Sequence, residues 1–76
     1  DYKTVLQEIL QQHGEVKIEY DIIKEAGRDH DKTFTAQIKY NDKPLAIGIG
    51  KTKKSAQMEA AKKAIEEIKS KEEEGK

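Results

Sequence analysis

The chain has no cysteine and no tryptophan, and only one proline, one phenylalanine and three tyrosines. Without cysteine there is neither a disulfide frame nor a thiolate metal site. That absence fits a reducing setting, and a cytoplasmic location is the expectation. With so few aromatics, a chain of 76 residues must use nearly every aliphatic side chain it has to build one modest core. No apolar run approaches the length that crosses a bilayer as a helix, and no signal peptide is visible, so no membrane partner is expected. Net charge is missing too, since fifteen basic residues balance fifteen acidic ones. The chain begins and ends abruptly in charged residues, and the expectation is a piece of a longer protein.

The charge that is present is unevenly placed. Residues 51–63 hold five lysines and one glutamate, whereas residues 66–76 hold five glutamates and three lysines. Local patches, not totals, are the footprint of phosphate binding.

Hydrophobic periodicity divides the chain into five elements. Val5, Leu6, Ile9 and Leu10 recur at helical spacing, predicting a helix over 3–13 with Asp1 as its cap and Gly14 as its stop. Ile18, Tyr20 and Ile22 alternate with polar residues, predicting a strand over 17–25. Gly27 to Asp31 reads as a polar loop. Phe34, Ala36, Ile38 and Tyr40 then face one side of a second strand. Asn41-Asp42 supplies turn chemistry, and a third strand spans 45–50. Thr52 suits the N-cap of a last helix, whose apolar face is Ala56, Ala60, Ala61, Ala64, Ile65 and Ile68. Short connections make the strands antiparallel. The fold class is α+β, ordered α-β-β-β-α, with two helices on one face of a three-stranded antiparallel sheet. Residues 1–70 form the domain, and 71–76 a charged tail expected to fray.

The most informative stretch is Gly48-Ile49-Gly50-Lys51-Thr52-Lys53-Lys54-Ser55. It sits between a strand and a helix, where outward-pointing amides carry partial positive charge. Lys51, Lys53 and Lys54 add full charges there, although lysines at a helix start oppose the macrodipole. Such a placement suits phosphates. Gly50-Lys51-Thr52 imitates the end of a nucleotide-binding phosphate loop, but that motif needs a glycine at position 45, which is Leu45. A small-molecule substrate is therefore not expected. His13 and His30 are the only histidines and have no metal-ligand spacing, so no metal or cofactor is expected in this domain.

Three blocks in order resemble the double-stranded RNA-binding domain. They are Thr4-Val5-Leu6-Gln7-Glu8, then Gly27 with His30 and Phe34, then Gly48 to Ala56 followed by Ala60-Ala61. The resemblance covers residues 2–69, and the opening Asp1 to Glu8 is similar to the start of this domain in bacterial ribonuclease III. Two positions depart from the family pattern: Arg28 stands where a proline is common, and Gln57 where a third lysine is common. Lys51 is expected to stand in for that lysine.

The resemblance implies three contacts with an RNA duplex. Thr4, Gln7, Glu8 and Gln11, on the polar side of the first helix, would enter one minor groove. His30, with Arg28 beside it, would enter the next. Lys51, Thr52, Lys53, Lys54 and Gln57 would hold phosphates across the intervening major groove. Recognition would rest on A-form shape and 2′-hydroxyls, over about 16 base pairs and with little sequence preference. The resemblance further implies a parent enzyme in which this domain delivers RNA to a nuclease domain. That nuclease domain would need a divalent metal such as magnesium and would carry the parent's homodimer contact. Its signature is nowhere in these residues, so this chain by itself is not expected to be an enzyme. The rival reading is a protein-interaction or dimerisation module on the same fold.

Overall fold

Asp1 caps the first helix, α1 (Tyr2–Gln11), its carboxylate accepting the Thr4 amide hydrogen at 2.9 Å. The computed structural model describes residues 1–75. After α1 come β1 (Ile18–Arg28), β2 (Asp31–Tyr40), β3 (Lys43–Gly50) and α2 (Lys53–Glu74). The order is the expected α-β-β-β-α, and the strands form an antiparallel sheet in the order β1-β2-β3.

The turns explain the register. Asn41 and Asp42 both take positive φ, 48° and 68°, so β2 and β3 meet in a two-residue turn whose twist suits a hairpin. Asn41 also anchors the start of β1: its amide donates to the Lys17 carbonyl at 2.8 Å, and its side chain accepts the Lys17 amide at 2.9 Å. The Lys17 ammonium sits 3.2 Å from Asp42, whose hydrogen bond raises the lysine pKa. Pro44 falls in β3, an edge strand, where a missing backbone donor is tolerated.

The β1–β2 hairpin differs from the expectation. The polar loop over 27–31 shrinks to a two-residue turn, Asp29-His30, with Arg28 paired to Asp31 as the last rung. Gly27 permits this, because at φ 98° a side chain there would collide with the Asp31 carbonyl. A bulge between Ile22 and Lys24 bends β1 where the hairpin leaves the helices behind. From Ile23 to Asp31 every residue is exposed. Cross-strand pairing, not burial, holds this arm together.

The core lies between the sheet and the helices. It comprises Leu6 and Leu10 of α1, Ala36 and Ile38 of β2, and Ala56, Ala60, Ala61, Ala64 and Ile65 of α2. Among the described residues only Leu6 and Ile38 are large and fully buried. Val5, expected in the apolar stripe of α1, is 42% exposed. Its place on the inner side is taken by Lys3, which lies three and seven residues before Leu6 and Leu10 and is half-buried. The segment expected to fray is helical as far as Glu74, although the described residues beyond Ile68 are all exposed. Lys and Glu are good helix formers, and a Glu67–Lys71 pair at 3.9 Å adds local support. Lys76 lies outside the described residues.

The two glycines of the lysine-rich stretch are packing residues. A Cβ on Gly48 would stand 2.1 Å from the Ala60 backbone nitrogen, and one on Gly50 would stand 2.6 Å from that of Ala56. The backbones of β3 and α2 therefore touch, with alanine on the helix side and glycine on the strand side. Gly48→Ala is expected to destabilise the domain by about 3 kcal/mol, as overpacking against rigid backbone does. Urea denaturation of the variant checks this, and a loss below ~0.5 kcal/mol would contradict the close approach.

Candidate nucleic-acid interface

The close approach sets where α2 begins. Thr52 caps it, accepting the Ser55 amide at 2.9 Å while Ser55 Oγ accepts the Thr52 amide at 3.0 Å. This capping box fixes the first turn, which carries Lys53 and Lys54 and no acidic residue. Thr52 uses its side-chain oxygen as the cap, so its expected phosphate contact falls to its hydroxyl hydrogen. Lys51, Thr52, Lys53 and Lys54 are exposed, and Gln57 is half-buried. Among the described residues no carboxylate lies within 4.0 Å of the Lys53 or Lys54 ammonium.

The two lysines of the first turn look in different directions. Lys53 lines a groove with Ile22, Ile23, Lys24 and Glu25, at the bulge where the hairpin arm departs. Lys54 lines another with Tyr2, Ser55, Met58 and Glu59, beside the start of α1. The N-terminus of α2 thus sits between α1 and the arm. On α1, Thr4, Gln7, Glu8 and Gln11 are all exposed, and the buried Leu6 and Leu10 hold the opposite side inward. At the arm, Arg28 occupies the last rung and His30 the tip, both exposed. Every residue singled out in the sequence is solvent-accessible, in three groups carried by three different elements.

Lys51, expected to stand in for a lysine at position 57, and Gln57 itself lie in different contacts. Lys51 donates to Asp31 Oδ1 at 2.9 Å, which ties the end of β3 to the root of the arm. The Lys51 charge is therefore partly offset at the arm. Gln57 accepts instead from the Lys3 ammonium, across the α1–α2 contact. The same ammonium lies 4.5 Å from the centre of the Tyr20 ring, and burial raises the Tyr20 pKa. Lys3 had no place in the sequence reading, because a lysine reads as exposed in any hydropathy pattern. Its spacing from Leu6 and Leu10 is the signal that marks it as inward. Among the described residues no three His, Cys, Asp or Glu side chains gather as a metal site would require.

Both partners of the Lys51–Asp31 pair are well exposed, so it is worth less than about 1 kcal/mol. A double-mutant cycle with Lys51→Ala and Asp31→Ala, read by urea denaturation, is expected to give a coupling below that value. A coupling above ~2 kcal/mol would show that the pair holds the arm in place.

Comparison with known proteins agrees with this geometry. Residues 2–68 match the model of the family described as double-stranded RNA binding motif. Ribonuclease 3 of Latilactobacillus sakei is 48% identical over 69 residues, covering 91% of this chain and 30% of that protein. Ribonuclease 3 of Oceanobacillus iheyensis is 50% identical over 68 residues, covering 90% of this chain and 30% of that protein. The chain thus spans under a third of the length of these relatives. The solution structure of DRB4 dsRBD2 superposes with a TM-score of 0.66 at 38% identity, covering 91% of this chain and 96% of that one. A half-exposed hairpin arm, a lysine-bearing helix start and a polar first helix on an α-β-β-β-α frame, together with these matches, make the chain a member of the double-stranded RNA-binding motif family.

Proposed function

We propose that the domain binds double-stranded RNA along the edge where α1, the start of α2 and the β1–β2 arm meet. The observation that carries this reading is the position of Lys53 and Lys54, unpaired and placed between the other two groups. An A-form duplex offers two shallow minor grooves separated by a narrow major groove. Lysines in the middle face the phosphates that border the major groove. Thr4, Gln7 and Gln11 both donate and accept hydrogen bonds, which matches the 2′-hydroxyls and base edges of one minor groove. Glu8 accepts only and takes a hydrogen bond from a 2′-hydroxyl or a guanine amino group. His30, at the tip of an arm that stands clear of the helices, enters the other minor groove, with Arg28 on the adjoining backbone.

The ribonuclease 3 relatives support a role in delivering duplex RNA to a nuclease domain elsewhere in a longer cytoplasmic parent. In that reading the divalent metal, the homodimer contact and the cleavage chemistry belong to the nuclease domain, and this domain supplies affinity. A protein-interaction module draws support from one feature. Ile47 and Ile49 project from the sheet face opposite the helices and are 46% and 58% exposed. Two side chains make too small a patch to outweigh the three polar groups.

Titration with a duplex RNA of about 20 base pairs, the matching DNA duplex and the single strand, at two salt concentrations, tests the proposal. The duplex RNA is expected to bind best, with a salt slope near three to five, using the duplex DNA coefficient of about 0.9 per phosphate. Equal binding to all three, or none to duplex RNA, would sink it. Lys53→Ala with Lys54→Ala is expected to lower the slope by about two. Gln7→Ala is expected to cost about 1 kcal/mol and to leave the slope unchanged.

A further inference from the structure

Lys3 is the single lysine of α1, and among the described lysines it is the one whose ammonium is set over an aromatic ring. Its aliphatic stem lies on the inner side of the helix, in line with Leu6 and Leu10. Its ammonium has three hydrogens to donate. One goes to Gln57 Oε1, and the charge also faces the Tyr20 ring at 4.5 Å. Neither partner is an anion. Among the described residues no carboxylate lies within 4.0 Å of this ammonium.

The surroundings name the missing counter-ion. Gln57 is four residues after Lys53 and three after Lys54, so it neighbours both on the helix surface. The Lys3 ammonium is therefore delivered from α1 into the lysine cluster at the start of α2. With its oxygen turned to Lys3, Gln57 keeps its two amide hydrogens for another acceptor. Two kinds of donor, one of them cationic, converge at a point bordered by two further lysines. A phosphodiester oxygen satisfies both.

We infer that Lys3 is a phosphate-binding residue of the RNA interface, supplying through Gln57 the cation that residue 57 itself does not carry. Lys51 lies at the other side of the interface, beside Asp31 at the root of the arm, and not next to residue 57. The inference rests on the double-stranded RNA reading given above and adds to it a cation from α1. Lys3 also helps to join α1 to α2, so the bound phosphate and the helix contact share one side chain.

Lys3→Met separates the charge from the packing, since the methionine stem still covers Tyr20. Titrated against a duplex RNA of about 20 base pairs over a range of salt, the variant is expected to lose about 0.9 from the slope and to bind about eightfold more weakly near 0.1 M salt. Its melting temperature is expected to stay close to that of the parent chain. Adding Gln57→Lys to Lys3→Met is expected to restore the slope. Should Lys3→Met fail to fold, Lys3→Gln takes its place in the same comparison. An unchanged affinity and slope in the Lys3 variant, while Lys53→Ala with Lys54→Ala weakens binding, would overturn this role and leave the RNA reading standing. Failure of the unaltered domain to bind duplex RNA would overturn both.

Discussion

The contact on which the rest of the molecule depends is the approach of the β3 backbone to the α2 backbone. Gly48 faces Ala60, and Gly50 faces Ala56, at distances no side chain could occupy. A short contact of this kind suits a chain poor in large apolar residues. With only Leu6 and Ile38 large and fully buried, the core cannot be made thick, so it is made close. Four alanines on α2 give the helix a smooth inner face and lose no side-chain entropy on burial. Dispersion between closely packed backbones then supplies part of what bulk would supply in a larger protein.

The same contact places the chemistry. Because β3 ends at Gly50 against the first turn of α2, the helix starts at one end of the sheet. Its unpaired amides and its first-turn lysines then point past the sheet, toward solvent. β1 and β2 run on beyond the end of β3 as an arm, so Lys53 finds the arm on one side and Lys54 finds α1 on the other. An element order shared by many small proteins becomes a three-part surface because one strand stops early and its neighbours do not.

Electrostatics on this surface are arranged by partner choice more than by number. Formal charge over the chain is zero, yet the lysines differ in what offsets them. Lys17 is held by Asp42 and Glu19, Lys51 by Asp31, and Lys71 by Glu67. Among the described residues Lys53 and Lys54 have no such partner, and neither has Lys3, whose ammonium reaches Gln57 one turn further along α2.

The sequence by itself determined the order of elements, the strand faces, the caps at Asp1 and Thr52, and the turn at Asn41-Asp42, because each follows from local spacing or local backbone preference. The exposure of Thr4, Gln7, Glu8 and Gln11 was legible for the same reason. Other features depended on contacts far apart in the chain. That Asp29-His30 is the tip of an exposed arm depended on strand register, which a polar composition does not encode. That Val5 faces solvent while Lys3 faces inward depended on where α2 and Tyr20 lie beside α1. The partners of Gln57 and Lys51 lie 54 and 20 residues away in sequence, so only the packing of helix on helix and strand on strand could assign them.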